Sequence, residues 1–228
     1  MKGQELRQAR FAKGWTQQDV ARRLGSSQGY VSLLENEGRP VPSPLAAKLR
    51  RLLALPPTAL PVADDAPRPL TAAKLARQLA ALGYPGYAYL RRNSRSVNPA
   101  ELLLTALREN DLEPRLAAAL PWVAFRYPDL DWPWLSERAK VHDLQNRLGF
   151  TLRLARRTAE RLEQQDVSTV LAEWEEALER ARLVREDTFC RESMTDAEKR
   201  WLRERRPQDA APWNLLTNLT AEHLSYAQ

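Results

Sequence analysis

Residues 55–70, LPPTALPVADDAPRPL, constrain the fold of this chain more than any other stretch. Pro56, Pro57, Pro61, Pro67 and Pro69 each lack a backbone donor and turn the preceding residue away from helical geometry. A regular helix cannot cross such a segment, and a stiff, extended connection is expected. The chain is 228 residues long, enough for two ordinary domains. The boundary therefore predicts one domain over 1–55, a proline-rich linker over 56–69 and a larger domain over 70–228.

Both sides read as helix. Only 8 residues are glycine and no long alternating apolar pattern is present, so an all-α chain is expected. Before the prolines the pattern predicts a five-helix bundle, four of whose helices can be placed. The first runs from about Gln4 to Lys13, with Leu6 and Phe11 inward and Gly14 as its stop. Thr16 caps the second, 17–24, in which Val20, Ala21 and Leu24 form the apolar stripe. Gly25 ends it. Ser27 caps the third, about 28–36, with Val31 and Leu34 inward, Tyr30 packing more readily than reading a ligand, and Gly38 as its stop. The fourth, 44–53, turns Leu45, Leu49, Leu52 and Leu53 inward and has Pro44 near its first turn.

Beyond the prolines, TAAKLARQLAALGYPG reads as an amphipathic helix ended by Gly83. Asn98 and Pro99 open PAELLLTALREN, and EPRLAAAL is a shorter helix stopped before Pro121. Two long helices follow, with DVST (166–169) expected as the tight turn between them. Thr195 and Glu198 form a T-x-x-E capping box. In PWVAFRYPDLDWPWL, Trp122, Trp132 and Trp134 suit a core, and also suit a partner-binding groove, because aromatic side chains are favoured interface anchors.

Charge separates the two regions. The first 60 residues hold ten Lys and Arg against four acids, while the remaining 168 hold 25 of each. The whole net charge of +6 thus lies in the first quarter, where it would attract polyanions. Cys190 stands alone, so no internal disulfide can form and a cytoplasmic location is expected. Two histidines and one cysteine make a metal site improbable in composition. No phosphate-binding loop, H-E-x-x-H helix or cofactor motif is present, so no cofactor and no enzymatic activity are expected. No run is long and apolar enough for a membrane span. Lys48, Arg50 and Arg51 can be an ordinary solvated face or a phosphate contact.

Two short helices joined through LGSSQ in a basic domain have the spacing of a helix-turn-helix. Gly25 supplies the sharp turn and Ala21 the close contact between the helices. TQQDVARRLGSSQGYVSLLENEGRPVPSPLAAKLRRLLAL resembles the XRE family of bacterial and phage-repressor helix-turn-helix domains over roughly residues 3–55. Ser26 departs from it, since an apolar residue is usual there. The resemblance implies DNA-binding roles for Gln17 (a phosphate), Ser27 (cap and phosphate), and Gln28, Gly29 and Ser32 (facing base edges, with Leu33 at the margin). Arg39 and Lys13 are candidate backbone clamps. Gln28 can pair with adenine, and Gly29 offers only close backbone approach. Arg10 and Glu35 match a structural salt bridge.

The resemblance implies a sequence-specific transcriptional repressor that binds operator DNA as a homodimer. The alternative is an antitoxin whose helical C-terminal domain neutralises a toxin while the head represses its own operon. A serine–lysine self-cleavage domain finds no support in the helical C-terminal pattern.

Overall fold

The computed structural model describes residues 1–62 and 71–224. Twelve α-helices make up almost all the regular structure among them. They divide into two compact units, Met1–Asp64 with Ser96–Asn98, and Asp65–Arg95 with Pro99–Gln228.

The first unit holds α1 (Gly3–Ala12), α2 (Gln17–Leu24), α3 (Gln28–Glu35) and α4 (Ser43–Leu53), and its fifth element is a single 3-10 turn at Pro57–Ala59. Each short helix has a local reason to start and stop. At α2, the Thr16 hydroxyl accepts from the Asp19 amide while the Asp19 carboxylate accepts from the Thr16 amide, a reciprocal cap. Gly25 ends α2 in the left-handed region, φ 69°, where a side chain would be strained. Leu6, Val20, Ala21, Leu24, Val31, Leu34, Leu49 and Leu53 then meet in one core.

Three expectations change here. The core does not end at residue 55: Leu55 and Ala59 belong to it and Leu60 is buried. The amide of Asn98 donates to the carbonyls of Thr58 and Leu60, at 3.2 and 2.6 Å. Prolines forbid a helix but permit the 3-10 turn that delivers Ala59 inward. The rest of the expected linker, 63–69, lies outside the described residues. Phe11, expected inward, is 59% exposed and lies beneath the guanidinium groups of Arg7 and Arg10. The left-handed residue after α3 is Glu37, φ 57°, and not Gly38.

The second unit contains α5 (Ala72–Leu82), a 3-10 segment Pro85–Asn93, α6 (Pro99–Arg108), α7 (Pro114–Ala117), α8 (Leu120–Arg126), α9 (Trp132–Val141), α10 (Gln145–Arg161), α11 (Gln165–Glu179) and α12 (Asp196–Glu204). Two residue pairs, β1 (Asp187–Thr188) and β2 (Leu215–Leu216), form a short parallel bridge. Pro121 does not stop a helix but sits in the first turn of α8, where its missing donor costs nothing. DVST falls inside α11, and the turn is Leu162–Gln164, with Glu163 at φ 57°.

The long helix α10 is the axis of this unit. Leu148, Phe150, Leu152, Leu154 and Ala155 are fully buried. A Cβ on Gly149 would stand 2.1 Å from the Trp213 ring, so the indole rests directly on the helix backbone. Arg147, 4% exposed, donates to both oxygens of Asp187 (2.8 and 3.0 Å) and to the carbonyls of Leu107 and Glu109 (3.0 and 3.2 Å). The acidic face of α11 is partly interior: buried Glu175 accepts from Arg153 and Arg156, each at 2.7 Å. Among the described residues no helix is long and apolar enough to cross a membrane.

Candidate nucleic-acid interface

A helix that reads DNA must be fixed on its inner face and free on its outer one. Ser27 starts α3: its hydroxyl oxygen accepts from the Tyr30 amide at 3.2 Å, leaving the hydroxyl hydrogen free to donate outward. Val31 and Leu34 anchor the inner face in the core. Ser27, Gln28 and Gly29 are exposed, and Ser32 is half-buried. Nothing lies within 4 Å of a Cβ built on Gly29, so the space beside its backbone is open. Ser32 is engaged sideways, accepting from the Asn36 amide at 3.3 Å. Leu33 stands at the rim, 48% exposed.

Beneath this surface runs a chain of hydrogen bonds. Arg10 on α1 grips Glu35 through both oxygens (2.6 and 2.9 Å) and donates its third nitrogen to the Trp15 carbonyl at 2.8 Å. Burial alone would raise the Glu35 pKa. Hydrogen bonds from Arg10 and Gln17, with the positive charges of Arg10 and Arg7, overcome it and hold the carboxyl below its ordinary value. Gln17 Nε2 donates to Glu35 Oε2 at 3.0 Å, and Gln28 Nε2 donates to Gln17 Oε1 at 2.7 Å.

The polarity of that chain is forced. An ionised carboxylate only accepts, so Gln17 must turn its NH2 group inward and its oxygen outward. The outward oxygen then selects the NH2 group of Gln28. Gln28 is left presenting one N–H and its carbonyl oxygen to solvent, the donor and acceptor that match N7 and the 6-amino group of adenine.

The remaining predicted residues fall into three groups. Lys13 and Arg39 are exposed, with the Lys13 ammonium 5.3 Å from the Trp15 ring centre. Ala21 and Gly25 lie at the turn, one in the core and one in the αL cap. Lys48 is spoken for structurally: its ammonium donates to the Leu24 carbonyl at 2.9 Å, at the negative end of α2. Trp122 and Trp132 were candidate partner anchors, but they are 6% and 4% exposed. Trp122 packs edge-on against Tyr84 and Tyr127, and Trp132 stacks on Trp174, so both belong to the interior. Trp134 is half-buried.

Sequence reasoning missed the tightest joint in this unit. A Cβ on Gly3 would stand 2.4 Å from the Glu35 carbonyl oxygen, and the Gly3 amide donates to Glu37 at 3.0 Å. The start of α1 is thereby pressed against the end of α3. A lone glycine beside the N-terminus gives no periodic signal that would reveal this.

A short cap-to-cap pair of helices joined through an αL glycine, the second with an exposed polar edge, defines a helix-turn-helix domain. Residues 3–61 match the family model for helix-turn-helix domains, which agrees with Ala59 being the last deeply buried residue of the first core. No curated protein matches the chain, and no solved structure does.

Proposed function

We propose that the protein is an XRE-type transcriptional repressor that places α3 in the major groove of operator DNA. The observation that carries this reading is the bond from Gln28 to Gln17, continued through Glu35 to Arg10. It pre-orients the one side chain on the exposed edge of α3 with a bidentate pattern. In this reading Gln28 reads an adenine, and Gly29 and Ser32 line the groove. Ser27, Lys13 and Arg39 hold phosphates, and Gln17, whose side-chain amide is turned inward, meets one through its backbone N–H at the start of α2; these contacts position the helix without adding sequence information. The protein acts in the cytoplasm, catalyses no reaction, and binds as a homodimer through its helical body, which presents two recognition helices to half-sites.

The test is binding to a selected operator and to variants of it. Gln28→Ala should relax preference at one base pair by about 1–3 kcal/mol. Gln17→Ala should weaken binding to all sequences and also blur the preference at that base pair, because it removes the partner that orients Gln28. Equal loss on every sequence for Gln28→Ala would overturn the assignment. The toxin-neutralising alternative has no exposed tryptophan cluster in its favour, and copurification from the native host separates it from the homodimer.

A further inference from the structure

The second unit is not uniformly neutral. Residues 71–100 hold five bases, Lys74, Arg77, Arg91, Arg92 and Arg95, and no acid at all, whereas residues 101–228 hold 19 bases against 23 acids. The two groups are also used differently. Arg147, Arg153, Arg156, Arg157, Arg191 and Arg203 all sit on carboxylates. The five bases of 71–100 are exposed, and none of them forms an ion pair among the described residues.

Three of these bases belong to, or directly follow, the 3-10 segment Pro85–Asn93, against which α5 packs. In 3-10 geometry residues three apart eclipse, so Tyr89 and Arg92 share one ridge. Tyr89 is 73% exposed and its ring stands edge-on to Tyr87, 6.4 Å between centres. Arg115, a sixth exposed base, covers the Tyr87 ring at 5.0 Å and donates to the Gly86 carbonyl at 2.7 Å. Glu113 lies near enough to help raise the Tyr87 hydroxyl pKa, after burial, which is the main cause.

We propose that this ridge, Tyr89 with Arg92, together with the flanking Arg91 and Arg95, is a second contact to the phosphate backbone of duplex DNA. The proposal rests on the DNA-binding reading of the first unit. Exposed arginines without an ion pair among the described residues and a tyrosine hydroxyl are phosphate ligands, and such contacts carry no base information. A membrane surface is disfavoured, because interfacial binding needs an apolar face and the ridge exposes only one aromatic ring. Tethering to a head already on DNA raises the local phosphate concentration, so weak contacts suffice. The ridge therefore adds affinity and salt dependence, and no sequence preference.

The test uses the full chain and a fluorescent mixed-sequence duplex of about 30 base pairs, titrated between about 50 and 200 mM salt. The triple variant Arg91→Ala, Arg92→Ala, Arg95→Ala should lower the slope of log K against log salt by two to three, about 0.9 per lost contact, and weaken binding about tenfold or more at the low-salt end. A charge-matched control, Arg180→Ala, Arg200→Ala, Arg205→Ala, should leave the slope unchanged. An unchanged slope in the first variant, or equal effects in both, overturns the ridge while leaving the head's role intact, provided Gln17→Ala still weakens binding. Failure of the wild type to bind duplex overturns both readings. Duplex binding that is untouched while binding to single-stranded RNA or to phosphatidylserine vesicles is lost assigns the ridge to another partner and overturns the proposal.

Discussion

Arg10 in the first unit and Arg147 in the second are 5% and 4% exposed, yet the hydrogen bonds around them lead to different places. Those of Arg147 close mainly on the interior, joining the end of α6, β1 and α10, with one long outward contact, 3.5 Å to the half-exposed Glu192. Those of Arg10 pass through Glu35 and Gln17 to Gln28 on the surface. A buried ion pair is seldom retained for stability alone, because desolvation offsets most of the attraction. In the body the pair organises the backbone carbonyls of Leu107 and Glu109. In the head it sets the polarity of a side chain that faces outward.

The contrast breaks first at Arg147. Arg147→Leu should destabilise the body by about 3–5 kcal/mol, since it removes the countercharge of Asp187 and the donations to two carbonyls. Urea denaturation followed by tryptophan fluorescence reads this, as six of the seven tryptophans lie beyond residue 100. DNA selectivity of the head should not change.

Glu35→Gln comes next. It strands the Arg10 charge and should cost about 3 kcal/mol in the head. Unlike the first variant it should also blur base preference, because a glutamine can present either end to Gln17. Acid has a related effect. The Glu35 carboxyl is depressed in the folded state, so its contribution is present above the ordinary glutamate pKa of about 4.3 and is lost as pH falls through the lower folded value. Helical signal from the head should therefore fall below about pH 4 in the wild type, with Glu35→Gln showing less of this pH dependence.

Gln28→Ala sharpens the comparison from the other side. Stability should move by less than about 0.5 kcal/mol, since the residue is exposed, while discrimination falls by the amount given above. The smallest effect is Gly29→Ala. With open space around its Cβ position it should stabilise α3 by about 0.5–1 kcal/mol, and a loss of affinity despite that gain would show that the backbone approaches DNA closely.

The local chemistry of the head was legible because caps, turn glycines and apolar spacing are short-range signals. Thr16, Gly25 and Ser27 act within a few residues of themselves. Burial of Ala59 was not legible, because proline advertises what it forbids and not the turn it allows. The Gln28–Gln17 bond was hidden for a different reason: it needs two helices placed in register. In the body, burial of Glu175 was hidden likewise, because the Arg153 and Arg156 that turn it inward belong to a neighbouring helix. The tryptophans carried an ambiguity that only packing could resolve.

The indole of Trp213 against Gly149 has a consequence for the order in which the chain is made. The head's core closes within its first 60 residues, and its later tie, from Asn98 to the carbonyls of Thr58 and Leu60, within its first 98, so it can fold while the body is still being synthesised. The body cannot be completed until the residues that cover the middle of α10, some sixty positions downstream, have left the ribosome. Chains halted before Trp213 would carry a finished reading head on an unfinished scaffold. A cell making the protein is thus exposed, for part of every round of translation, to finished helix-turn-helix heads on bodies that have not yet closed.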